Sequence, residues 1–389
     1  MIRRDIIYNA FLSVKKSLPR MGGGELYNKV PEIIKSSWHE AGGMPYAKGR
    51  WKEGADTRMD RKQWLAAFYT ACPKKALPIL SFPGARLIGK TVREVVTDGS
   101  AQALCMKAIA DRYPMAAAVS SMDLSVEAEA FGAAIRYTDR EVPTVAGRLV
   151  IDAASVDALT VPAVGAGRTQ ACLCGIREAK ALITDRPVLA GVIGPFSLAG
   201  RLYDMTEIMV DCLEEPGVIH ALVDKCTQFL LAYVQAFQAA GADGIIMAEP
   251  AAGLLSPPIA AAFSVPYVKR IFDALRADAF IRVYHNCGPY TMAQLEDILS
   301  LDATIYHFGD AIDLTKLQPH IPDNVLFAGN VSPSGYFCHG TPESTYEATA
   351  ALLKSLGACH NYIPSSGCDI PPDSPFENID AFFQAVAQA

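Results

Sequence analysis

The sequence predicts a (β/α)8 barrel of the TIM type, and three observations carry the prediction. From about residue 75 onward eight short aliphatic or β-branched runs alternate with longer stretches of helical period. The runs are nearly continuous in apolar residues, as strands of a parallel sheet covered on both faces are. No G-x-G-x-x-G loop follows the first run, which disfavours a doubly wound open sheet.

The runs are "ALPILSF" (76–82), "MAAAVSSM" (115–122), "VLAGVIG" (188–194), "GIIMAE" (244–249), "FIRVYH" (280–285), "ATIYHF" (303–308), "VLFAGN" (325–330) and "YIPSS" (362–366). Among the intervening stretches, 217–240 places Leu222, Cys226, Phe229, Tyr233 and Phe237 at steps of three and four, one apolar stripe of an amphipathic helix. Thr341 is the expected N-cap of a helix with Pro342 in its first position, and Ser374-Pro375-Phe376-Glu377 reads as a capping box opening the last helix. The segment 123–187 is too long for one helix, and "GAAIRYTDREVPTVAGRLV" within it reads as an inserted β-ribbon after the second strand. Residues 1–70, with Gly22, Gly23, Gly24, Gly42 and Gly43 and tryptophans at 38, 51 and 64, are expected to form an N-terminal helical extension, leaving 71–389 for the barrel.

Composition narrows the function. Of 389 residues 51% are hydrophobic and 20% charged, which excludes a disordered chain. The formal net charge of −6 argues against nonspecific binding to nucleic acid or an anionic membrane. Ten irregularly spaced cysteines suggest no disulfide framework, and a reducing cytoplasm is the expected location. Lys15 and Lys16 interrupt the early apolar run before a signal-peptide core forms. The uncharged stretch 250–268 approaches membrane-spanning length, but Pro250, Pro257, Pro258 and Pro266 break it, so it reads as a folded loop region.

Active sites of such barrels lie at the C-terminal ends of the strands. Asp123 follows the second run, Glu249 ends the fourth, His285 and Cys287 leave the fifth, Asn330 ends the seventh and Cys368 follows the eighth. Two apart on an extended strand end, His285 and Cys287 point to the same side, and Cys368 in "SSGCDIPP" follows a glycine that permits a tight turn. Two thiolates and an imidazole form a soft donor set suited to zinc, with one tetrahedral position left for substrate, water or a further ligand; the same residues also suit an ordinary core. Glu249 could accept a proton, orient a bound group or cap a strand end. Asp123 suits catalysis or a helix cap, and Asn330 a substrate contact or a tie between loops. His307 and the Cys172–Cys174 pair read as structural.

Beyond the residues themselves, "HNC" (285–287) with "GC" (367–368) resembles the zinc signature of the methylcobamide:coenzyme M methyltransferases of the uroporphyrinogen decarboxylase superfamily. The likeness extends through "DLSVEAEAFGA" (123–133), "EVPTV" (141–145), "GPFSLAGRL" (194–202), "AGADGIIMAEP" (240–250), "GNVSP" (329–333), "GTPE" (340–343) and "GCDIPPDSPFENIDAF" (367–382). It implies zinc on His285, Cys287 and Cys368, a small thiol acceptor such as coenzyme M in the fourth position, and a methyl group delivered by a methylcorrinoid. The D-x-H-x-x-G motif of corrinoid carriers is missing, so the corrinoid is expected on a separate, docking protein. Two positions depart from the family pattern: Glu249-Pro250 stands for Asp-Pro, and Ser332 interrupts "GNVDP". They bear on the acceptor first, and tetrahydrofolate is the alternative. Uroporphyrinogen decarboxylation is a second alternative, although "RQAGRY" is missing and Arg86 is the single arginine of "SFPGARLIG". A non-catalytic corrinoid-protein adaptor, its metal closed by four protein ligands, is a third.

Overall fold

The computed structural model describes residues 60–275 and 280–389, so the expected extension, apart from its end, lies outside the described residues. Strands are numbered in chain order: β1 (Ala118–Val119), β2 (Ala134–Arg136), β3 (Thr144–Ala146), β4 (Val188–Ile193), β5 (Gly244–Ala248), β6 (Ile281–Asn286), β7 (Ile305–Phe308), β8 (Leu326–Val331) and β9 (Tyr362–Ser366). β1 and β4 to β9 form one parallel sheet in the order β1-β4-β5-β6-β7-β8-β9, while β2 and β3 pair antiparallel as the inserted ribbon. Helices connect the strands, as a parallel sheet requires.

The first expected strand, 76–82, is not a regular strand. It is the eighth stave all the same: Leu77 N–H donates to Pro364 O on β9 at 3.0 Å, and Ala116 N–H, just before β1, donates to Ala76 O at 2.8 Å. Pro78 and Pro364 each lack the N–H that a full ladder would need. Ile79 N–H turns instead to the Ser366 hydroxyl at 3.0 Å.

Inside the staves, Leu189, Ile246, Ile281, Val283, Ile305, Leu326, Ala328 and Ile363 form one buried cluster with Trp64 and Phe68. Those two aromatics come from the helix Arg61–Thr70, started by Asp60, whose carboxylate caps the N–H groups of Lys62 and Gln63. Trp64 Nε1–H donates to Ala116 O at 2.9 Å and Tyr69 OH to Asn324 O at 3.0 Å. Both carbonyls precede strands, so this helix closes the N-terminal mouth and chemistry is left to the opposite rim.

The helix expected at 217–240 runs Pro216–Ala239 and buries the predicted stripe of Leu222, Cys226, Phe229, Tyr233 and Phe237. Thr341 caps its helix in a capping box with Ser344. The Ser374 box does not form: the last helix begins at Phe376 with Pro375 at the cap, and the Ser374 hydroxyl is buried without a partner. Its carbonyl is turned to the Arg86 guanidinium, which fixes the residue outside the helix. The stretch 250–268, read as loop, folds into helices Pro257–Phe263 and Val265–Ala274, each with proline in the first turn, where it costs no hydrogen bond. No helix among the described residues is long and apolar enough to cross a membrane.

Candidate metal centre

Strand alternation puts His285 inside the barrel. Ile281 and Val283 belong to the interior cluster, and the next residue of that face is His285, only 1% exposed. Cys287 stands two positions on, where β6 has ended. The turn that holds it is built by Asn286, whose Oδ1 accepts from Gly288 N–H at 3.0 Å and from Thr291 Oγ1 at 3.1 Å. Gly309 leaves room for this thiol: a Cβ there would stand 2.3 Å from the Cys287 Cβ. Cys368 enters from the turn after β9.

One ligand atom each from His285, Cys287 and Cys368 lies within 4.8 Å of the others. The cysteines are partly exposed and unbridged. They share a hydrogen bond that holds the Cys287 thiol below its ordinary pKa and, together with burial, pushes the Cys368 thiol up.

Whether a metal suits this group is decided by the imidazole. His285 Nδ1 lies 2.8 Å from His307 Nδ1 and 3.3 Å from the His307 carbonyl. Its Nε2 is buried with no hydrogen-bond partner. A buried polar atom left unpaired is costly, and a ligand nitrogen beside two thiols is a form in which it is useful. The donor set, one nitrogen and two sulfurs, fits zinc. Among the described residues the group holds three donors, the number typical of a zinc site with an open position.

The other rim residues stand apart from this group. Glu249 is fully buried at the N-terminus of the helix Pro195–Tyr203. Its Oε1 accepts from Phe196 N–H at 2.8 Å and Ser264 Oγ at 3.1 Å, and its Oε2 accepts from Ser197 N–H at 3.0 Å. Burial pushes this carboxyl up to about 7 against the pull of those donors. Asp123 forms a buried ion pair with Arg168 and accepts from Ser125 N–H at 3.0 Å and Ser125 Oγ at 2.6 Å. Asn330 donates its amide to the carbonyls of Gly309 at 2.9 Å and Ile312 at 2.6 Å, tying the ends of β7 and β8 together beside Cys287's glycine. The contacts of Glu249 and Asn330 fit the capping and tying readings of those residues, whereas Asp123 caps no helix: Ser125 stands at the cap of Val126–Ala130, and Asp123 is held by Arg168 instead.

Sequence reasoning missed Ser365 and read His307 as structural. His307 lies in register with His285 on the neighbouring strand, and the inward alternation of "IYHF" is the signal that could have found it.

A curled parallel barrel with this donor set at its C-terminal rim defines a class, and the chain belongs to the uroporphyrinogen decarboxylase (URO-D) family, whose match runs over residues 70–389. The chain is 27% identical over 284 residues to the methylcobamide:CoM methyltransferase MtbA of Methanosarcina acetivorans, covering 68% of this chain and 77% of that protein. It is 28% identical over 288 residues to a uroporphyrinogen decarboxylase of Anaeromyxobacter sp. (strain Fw109-5), covering 71% and 81%. Among solved structures, a methyltransferase from Methanosarcina mazei superposes with a TM-score of 0.75 at 22% identity, over 84% of this chain and 98% of that one. That likeness shows the fold.

Proposed function

We propose that the protein is a zinc-dependent methyltransferase that moves a methyl group from a methylcorrinoid, carried by a separate protein, to a small thiol acceptor such as coenzyme M. The observation that carries this reading is the meeting of His285, Cys287 and Cys368, with an orphaned imidazole nitrogen among them. The MtbA relatives, named as methylcobamide:CoM methyltransferases, support it.

His285, Cys287 and Cys368 would hold the zinc. Zinc would supply Lewis acidity that favours ionisation of a thiol at neutral pH, and the thiolate is the competent nucleophile. The chain's residues supply the frame. β6 delivers His285 from a fully buried strand, Gly309 lets Cys287 sit close beside the end of β7, and Asn330 ties that end to β8. The helix Arg61–Thr70 closes the opposite mouth, so the acceptor and the protein-borne corrinoid must approach from the C-terminal rim.

Decarboxylation would need cations free to hold a polycarboxylate. Arg86 is committed to the Ser374 carbonyl and lies over the Phe376 ring at 4.4 Å, and Arg168 is spent on Asp123 and Glu129.

Elemental analysis of the purified chain should find about one zinc per chain, strongly reduced in Cys287→Ser and Cys368→Ser. With free methylcobalamin and coenzyme M, the cobalamin absorbance should report demethylation that needs both the thiol and the metal. Full zinc occupancy in either variant removes that ligand, and no thiol-dependent demethylation defeats the reaction.

A further inference from the structure

We propose that His307 and Ser365 are positioning residues for the metal centre, fixing the His285 ring in the tautomer that presents a bare Nε2 to the two thiols. The proposal rests on the zinc reading for its purpose, while its geometry stands without it.

The Ser365 hydroxyl lies 2.7 Å from the carbonyl of Leu77, and a carbonyl can only accept, so the single hydroxyl proton is spent there. His307 Nε2 lies 2.8 Å from the same Ser365 oxygen. With its proton committed, that oxygen has only lone pairs to offer, and His307 Nε2 must carry a proton. The Nδ1 atoms of His307 and His285 are 2.8 Å apart, and such a contact holds one proton between two nitrogens. A neutral His307 protonated on Nε2 accepts at Nδ1, so His285 Nδ1 is the donor. The His307 carbonyl, 3.3 Å from the same His285 nitrogen, can also only accept and demands the same assignment. A neutral ring protonated on Nδ1 has its lone pair on Nε2, the atom that is buried and without a partner.

The relay therefore has a fixed direction: Leu77 carbonyl, Ser365, His307, His285, metal. It crosses the barrel from the irregular stave 76–82 through β9 and β7 to β6. On β8, between β7 and β9, Ala328 stands in register with His307 and offers only a methyl group. A ligand imidazole whose second nitrogen donates to a fixed acceptor is held in orientation and made more basic. Here the acceptor is a second imidazole, itself oriented by a hydroxyl anchored on the Leu77 carbonyl.

Three substitutions and one spectrum test this. His307→Leu removes the ring acceptor but leaves the longer contact to the backbone carbonyl, so zinc affinity, read by competition with a chelating chromophore, should fall about tenfold. His307→Gln keeps one acceptor and one donor and should stay within about threefold of the unsubstituted chain, a rescue that packing alone would not give. Ser365→Ala should fall between the two. The chain has seven histidines, so nitrogen-detected imidazole spectra are resolvable. The zinc-free protein should show the proton of His285 on Nδ1 and that of His307 on Nε2. A His285 proton on Nε2, or unchanged zinc affinity in a folded His307→Leu chain, overturns the proposal. Should His307→Leu fail to fold, Ser365→Ala and the spectrum decide. If the unsubstituted chain takes up no zinc, the functional reading falls, and the zinc-free spectrum still decides the relay.

Discussion

His285 and Glu127 pose the same question, since each is a buried side chain with one satisfied atom and one orphan. For His285 the orphan faces two thiols; for Glu127 it faces a cavity of about 20 Å³ bordered by Ser120, Asp123, Arg168 and Tyr233, room for a single water. Glu127 Oε1 accepts from Ile193 N–H at 3.1 Å, Oε2 has no partner, and burial pushes the carboxyl up to about 7. In the unfolded chain an ordinary glutamate ionises near 4.3, so the folded protein binds this proton more tightly. The resulting stabilisation is complete below about pH 4 and is lost as pH rises through about 7, a change on the order of 3 kcal/mol. Glu127→Gln puts an amide N–H₂ where the acid holds its proton, and should remove that part of the decline. Denaturant midpoints of both chains from pH 5 to 8 check this, and parallel profiles would mean that Glu127 is ionised throughout. None of this was legible from "DLSVEAEA", where Glu127 looks like any helix-face acid. By contrast the convergence of His285, Cys287 and Cys368 was legible because soft donors are rare at strand ends and the barrel rule gathers those ends. His307 read as structural because its meaning lies in a partner one strand away.

At the scale of elements, β9 was legible as its run in full, Pro364 included, while the second run, 115–122, keeps ladder pairing only at Ala118–Val119. β4 to β8 match their runs closely, whereas the first run is an extended stave without a ladder, since Pro78 and Pro364 remove N–H groups that sequence hydrophobicity cannot register. The capping box at Ser374 failed for a related reason: a long-range contact from Arg86 claimed the local backbone. The helix Arg61–Thr70 shows the same dependence on tertiary context. Its sequence gives no strong amphipathic pattern, yet it seats Trp64 and Phe68, with ring centroids 4.8 Å apart, under the barrel interior. Trp64→Ala should therefore destabilise the protein by about 3–5 kcal/mol, through lost burial, a cavity and the orphaned Ala116 carbonyl. Leu65→Ala, on the same helix but only half-buried, should cost clearly less. Equal losses in equilibrium unfolding would show that the helix acts as a whole rather than through its aromatic plug.

For the whole molecule, the question is whether the proposed metal would belong to the fold or only to the site. The barrel closes without it: seven parallel strands, the 76–82 stave and a continuous interior cluster are joined by backbone bonds and apolar contacts in which the two thiols take no part. Of the three proposed ligands, two lie beyond strand ends and one, His285, is paired in the ladder to both neighbouring strands. Zinc removal should then cost only the binding free energy, unlike small zinc domains that unfold without metal. At free zinc about a hundredfold above its dissociation constant, linkage gives about 2.7 kcal/mol. In a domain of this size that corresponds to a Tm lower by roughly 3–4 °C in the stripped protein, with the far-UV circular dichroism unchanged. Cys368→Ser should melt near the stripped value whether or not zinc is added, because its site cannot claim the linkage. A collapse of the far-UV signal on chelation would instead make the metal part of the fold, with the turns after β6 and β9 ordered only around it.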